Sequence, residues 1–144
     1  MKKIYLTLLL LSQFSWASDT PSRVEDLPQK EMIAQNKLII DLFVEEISKT
    51  LPKEIDKYTQ LSSVTSKDVT IIYTFVINAE TKSDEAIRKE DHSRMKSSVT
   101  QGICQSSKRF LDAQINISYL YLSAKTKAEL FRFDVTQAEC LHVK

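Results

Sequence analysis

Residues 69–78 read Val-Thr-Ile-Ile-Tyr-Thr-Phe-Val-Ile-Asn, and this stretch decides the fold. Successive side chains of a strand point to opposite faces, so Val69, Ile71, Tyr73, Phe75 and Ile77 share one face. Ile72 and Val76 make the opposite face partly apolar as well. The run is dominated by β-branched and aromatic residues, which suit a pleated, half-buried surface. Upstream, Tyr58 to Thr65 is rich in Thr, Ser and β-formers, and Ser66-Lys67-Asp68 supplies a turn. The two runs are therefore expected to pair as an antiparallel hairpin.

Outward from that hairpin the period changes from two to 3.6. Between Gln29 and Leu51, apolar residues recur at Ile33, Ile40, Phe43, Val44, Ile47 and Leu51, which predicts an amphipathic helix stopped by Pro52. Lys30, Lys37, Asp41, Glu45 and Lys49 give it a solvated side, while Leu38, Ile39 and Leu42 widen the apolar arc enough to touch a second surface. On the other flank, Asp84 to about Cys104 reads as one polar helix carrying Ile87, Met95, Val99 and Ile103. Glu85 with Lys89 and Glu90 with Arg94 are spaced as supporting pairs on its exposed face. A short helical turn ends at Phe110-Leu111. Ile115 to Leu122 then alternates as a strand, with Ile117, Tyr119 and Tyr121 opposed to Leu120 and Leu122. After a turn through Ala124–Lys127, Glu129 to Val135 closes a second hairpin. The expected fold is α+β: an antiparallel sheet of about four strands in the order helix, hairpin, helix, hairpin, with the helices packed on one face and one disulfide.

The amino terminus reads as an export signal. Lys2 and Lys3 precede an apolar run from Ile4 to Leu11, and Ser15-Trp16-Ala17 places small residues at the positions a signal peptidase reads. The expected organisation is a signal peptide over 1–17, a flexible leader over 18–28 and a single α+β domain over 29–144. The apolar run falls short of the ~20 residues a membrane span needs, so no transmembrane segment is expected after cleavage. Neither cysteine lies near the cleavage site to accept a lipid, so release to the periplasm or the medium is expected. In an oxidising compartment the two cysteines, Cys104 and Cys140, are expected to pair, stabilising the fold by roughly 4 kcal/mol on the chain-entropy account.

Composition excludes more than it selects. The chain carries 20 Lys and Arg against 19 Asp and Glu, a formal charge of +1 that becomes −1 when Lys2 and Lys3 are cut away. With no basic run it is a poor nucleic-acid binder, because that affinity comes from neutralising phosphates. Gly102 is the only glycine, which rules out glycine-rich phosphate loops. His92 and His142 do not share a helix face as metal ligands would, and Cys140-x-His142 could bind a metal only if Cys140 were free. The acidic neighbours Asp84-Glu85 and Glu90-Asp91 point about 100° apart on a helix and do not form a catalytic pair. No cofactor and no enzymatic activity are expected. The candidate partner site is the second sheet face, where Ile72, Val76, Leu120 and Leu122 form an apolar strip unless a helix or the leader covers it.

Leu51-Pro52 closing a helix, the hairpin YTQLSSVTSKDVTIIYTFVI at 58–77, VTQGICQSSKRFLDAQINISYLYL at 99–122 and FRFDVTQAEC at 131–140 together resemble the small α+β pilotins of type II secretion, the AspS class. The resemblance spans roughly residues 29 to 140 and rests on pattern and cysteine placement. It implies a Cys104–Cys140 disulfide and a domain that captures a helical tail of a secretin subunit. The lipid-bearing cysteine by which that family reaches the outer membrane has no counterpart. The preferred reading is thus an exported, non-enzymatic envelope protein that binds another protein, a secretin or other envelope component, by receiving a helix in an apolar groove. The alternative is a secreted protein or small enzyme whose site is assembled by the fold.

Overall fold

The structure, a computed structural model, describes residues 29–142. The expected signal peptide and leader lie outside the described residues. Ten elements follow in order: α1 (Gln29–Ser48), β1 (Lys53–Glu54), β2 (Thr59–Lys67), β3 (Thr70–Ile77), α2 (Asp84–Lys89), α3 (Ser93–Ser106), α4 (Lys108–Asp112), β4 (Asn116–Ser123), β5 (Glu129–Val135) and α5 (Gln137–Cys140). The fold is α+β, with helices packed against one five-stranded sheet of order β1-β2-β3-β4-β5. No described helix is long and apolar enough to cross a membrane.

Both expected hairpins form. β2 and β3 pair antiparallel, as do β4 and β5. Asp68 sits at the β2–β3 turn with φ of 52°, a left-handed conformation that Asp tolerates better than bulkier residues. Two features differ from a four-stranded antiparallel sheet. Lys53 and Glu54 pair with Leu61 and Gln60 as a short fifth strand. More consequentially, the two hairpins join through a parallel β3–β4 pair, in unbroken register from Thr70↔Asn116 to Ile77↔Ser123. A parallel neighbour requires a long crossover, and the intervening segment with α2, α3 and α4 supplies it.

The single helix expected over Asp84–Cys104 is two helices, broken at Glu90–His92. Local side-chain bonds explain the break. The Asp91 carboxylate accepts the backbone N–H of Ser93 at 2.9 Å, opening α3. Glu90 leaves the helical conformation (φ −67°, ψ 149°) and pairs with Lys82 at 2.5 Å in place of Arg94. The other expected pair, Glu85 with Lys89, is present at 2.6 Å. Ser83 opens α2 by accepting the N–H of Ala86 through its hydroxyl.

The core lies between the helices and the sheet face that carries Ile71, Phe75, Ile117, Tyr121, Phe133 and Val135. Ile40 of α1, Ile103 of α3 and Leu111 of α4 are fully buried against it. Phe43 meets Phe110 edge-on at 5.0 Å, tying α1 to α4. Asn36, the buried polar residue of α1, donates its side-chain N–H to the Ala113 carbonyl at 2.7 Å. Cys104 and Cys140 form the expected disulfide, with Cα atoms 5.5 Å apart. It joins α3 to α5, the short helix after β5, so the bridge ties the crossover to the end of the last hairpin.

Candidate functional site

The helices cover the core face of the sheet unevenly. α1 packs on β2 and the start of β3, while α3 and α2 pack on β5. Between them, over the later halves of β3 and β4, the sheet floor remains open as a groove. Two adjoining cavities of about 410 and 360 Å³ make up this groove, with Met95 of α3 lining both.

The parallel register builds the floor. It sets Tyr73 beside Tyr119 and Phe75 beside Tyr121, and antiparallel β5 adds Phe131 opposite Tyr121. The rings form a continuous row: Tyr73–Tyr119 at 5.2 Å, Phe75–Tyr119 and Phe75–Tyr121 at 4.9 Å, and Tyr121–Phe131 at 4.6 Å. His92 ends the row, its ring 4.1 Å from that of Phe131. These separations are typical of offset and edge-on aromatic contacts. The break between α2 and α3 puts His92 there, since a continuous helix would not place a bend over Phe131.

The walls are built from both sides. Ile55, Asp56 and Thr59 line the β2 side of the smaller cavity, and Tyr58 lines the larger one. Asp56 shapes this wall by accepting the backbone N–H groups of Tyr58 and Thr59 at 2.8 and 2.9 Å. Ile87, Met95 and the Lys82–Glu90 ion pair line the opposite side. Ile55 and Tyr58 are about half exposed, at 52% and 49%. Large side chains so exposed at the lip of an apolar groove are the usual mark of a surface that meets a partner.

The floor is largely withdrawn from water. Burial, and secondarily the neighbouring Tyr119, pushes the phenols of Tyr73 and Tyr121 up to about 12. Burial also raises that of Tyr119. All three remain neutral at any physiological pH. They offer hydroxyls that can donate or accept hydrogen bonds from an otherwise apolar surface. At the charged end, the bond from Lys82 holds the Glu90 carboxylate below its ordinary value.

The four residues expected as a partner site lie on the other face of the sheet. The register sets Ile72 beside Ser118, Val76 beside Leu122, and Leu120 beside Thr74. All four are half-buried, and none lines the groove. Below them, the buried hydroxyl of Ser118 donates to the Asp134 carboxylate at 2.6 Å. The disulfide lies apart from both surfaces, beside Lys108, Leu111 and Leu141. Of the two histidines, His92 enters the groove and His142 is exposed. Among the described residues, no group of three or more His, Cys, Asp or Glu is placed to hold a metal. Sequence reasoning placed Tyr73 on one face of β3 and Tyr119 and Tyr121 on one face of β4, without marking them as a site. Their phenol groups were the available signal, because a tyrosine on a core-facing stripe often marks where that stripe reaches water.

The chain belongs to a family described as a domain of unknown function, DUF8479, whose profile matches residues 35–131. No curated protein matches the sequence. Among solved structures, a candidate secreted protein of Pseudomonas aeruginosa superposes with a TM-score of 0.67 at 14% identity, over 76% of this chain and 96% of that one. The type 2 secretion pilotin EpsS of Vibrio vulnificus gives 0.63 at 16% identity, over 77% and 96%. The type II secretion pilotin AspS of Vibrio cholerae gives 0.60 at 18%, over 77% and 97%. The fold is thus pilotin-like, in keeping with the resemblance in the sequence.

Proposed function

We propose that this domain is a non-enzymatic binding module that works outside the cytoplasm, in the envelope or after release, and receives an apolar helix of a protein partner in its aromatic-floored groove. In the fuller form of this reading it is a pilotin-like adaptor, and the partner is a secretin or another envelope component. The observation that carries the reading is the groove whose floor is the aromatic row from Tyr73 to Phe131. A helix is about 10 Å across and presents its anchors at intervals of three and four residues, which suits a trough with an apolar floor and two walls. Broad aromatic surfaces with polar tips also dominate the energetics of protein recognition. The export signal read in residues 1–17 and the secretion-system pilotins among the structural neighbours support the location.

A photo-reactive residue at Met95, in the groove, and another at Leu120, on the opposite face, would separate the possibilities in intact cells. A discrete adduct from Met95, with the captured protein identified by mass spectrometry, is the expected result. An adduct from Leu120 alone would move the site to the strip with Ile72, Val76 and Leu122. No adduct from either position, with the protein found in the medium, would sink the adaptor reading and favour a secreted activity.

A further inference from the structure

Met95 is the one residue that lines both cavities of the groove, so it stands where the two halves of the groove meet. It is half-buried, packing on the core from one side and facing the cavities from the other. A thioether within reach of solvent is open to peroxides, which are small enough to enter spaces of about 410 and 360 Å³. The smaller cavity, which Met95 shares with Tyr73 and Tyr119, also supplies what the oxidised side chain needs. Burial keeps both phenols neutral, so each holds an O–H to donate. The thioether sulfur accepts such a bond only weakly. A sulfoxide oxygen accepts it strongly.

We propose that Met95 is a reversible oxidation site that switches the groove off. A peroxide is the oxidant. The sulfur lone pair takes one oxygen of the peroxide, the O–O bond breaks as the S–O bond forms, and the departing oxygen takes the proton of the transferred one and leaves as water. Sulfur is oxidised and the peroxide is reduced. The product exchanges a pliable apolar side chain for a polar, chiral one. Bonded to Tyr73 or Tyr119, its oxygen puts a satisfied polar group across the middle of the apolar trough. An apolar helix seated there would break that bond and bury an unpaired acceptor, which is costly. Enzymatic reduction of the sulfoxide restores the thioether and with it the groove. The consequence of the switch rests on the helix-binding reading above, and its chemistry does not. Met32, the only other methionine of the expected mature chain, lines a separate cavity at the start of α1 with Val69 and Gln114 and serves as an internal control.

The full chain, purified as the cell processes it, is treated with hydrogen peroxide and followed by peptide mass spectrometry and by the aromatic proton resonances. The expected result is one added oxygen at Met95 with shifted resonances of Tyr73 and Tyr119, both reversed by the two methionine sulfoxide reductases, and the same in Met32→Leu. A Met95 that stays unoxidised while Met32 gains its oxygen would overturn the inference. So would tyrosine resonances indifferent to oxidation of Met95. In cells carrying a photo-reactive residue at Ile55, peroxide should lower the yield of partner adduct about tenfold, the effect of one unpaired polar group. In Met95→Leu, whatever adduct forms should survive the treatment. An adduct that survives oxidation of Met95, or one lost equally in Met95→Leu, would sink the switch. Absence of any adduct before peroxide is added would instead refute the helix-binding reading, while the mass and the resonances still decide the oxidation site.

Discussion

Raising the pH above the ordinary phenol range should progressively destabilise this domain, and Tyr121 gives the reason. Its phenol lies under Phe75 and Phe131 and is only 4% exposed, and burial moves it from 10 to about 12. In the unfolded chain the same group ionises near 10. Between those values the unfolded state has released a proton that the folded state still holds, so each step in pH favours unfolding. The contribution of Tyr121 is therefore whole below pH 10 and declines as the pH climbs towards 12. Tyr73, also pushed up to about 12 by burial, adds a loss of the same sign. The assay is absorbance at the phenolate band followed against pH, with urea midpoints measured in parallel. Tyr121→Phe should remove one late-titrating phenol and flatten the decline in the urea midpoint. If Tyr121 ionised near 10, as in the unfolded chain, or if the decline were the same in Tyr121→Phe, the description of the groove floor as desolvated would be wrong.

Replacing both Cys104 and Cys140 by Ser should lower stability by roughly 4 kcal/mol, seen as a fall in the urea midpoint with the far-ultraviolet spectrum retained, since their separation of 36 residues closes a long loop. Ile40→Ala should cost about 2–5 kcal/mol by the same measurement, because Ile40 is wholly enclosed between α1 and the sheet. Ser83→Ala should cost about 1 kcal/mol through loss of the cap on α2, with amide exchange rising locally in α2 before any global change. Met95→Glu, at a half-buried position packed against the core, should lower the melting temperature while leaving the domain folded, and should abolish the partner adduct obtained from a second groove position such as Ile55, as a charge would then face the aromatic floor.

How much of this was legible beforehand varies with the range of the forces involved. The alternation over Val69–Asn78 and Ile115–Leu122 is a property of the strands themselves, and both strands form with the expected faces. The 3.6-residue period of α1 is equally local, and the residues it assigned inward, Ile40, Phe43, Val44 and Ile47, join the core. The break at Glu90–His92 was illegible in the periodicity, because it rests on the bond that Asp91 accepts from Ser93, on Lys82 reaching Glu90 from outside the helix and on the contact of His92 with Phe131. The parallel pairing of β3 with β4 was equally hidden, since hairpin signals describe only neighbours joined by short turns.

The sequence by itself determined the α+β class, the placing of most elements, the pairing partners of each hairpin and the disulfide, because side-chain period, turn chemistry and cysteine number are written along the chain. The tertiary structure alone decided where a partner could fit. Tyr73 and Tyr119 are 46 positions apart, and taken singly each is only one position in an alternating strand. Only the parallel register sets them side by side, and only the packing of α1 on β2 and of α3 on β5 leaves them lining a cavity. Whether an apolar stripe becomes a core or a groove depends on what packs above it, which is a relation between distant segments that no local pattern encodes.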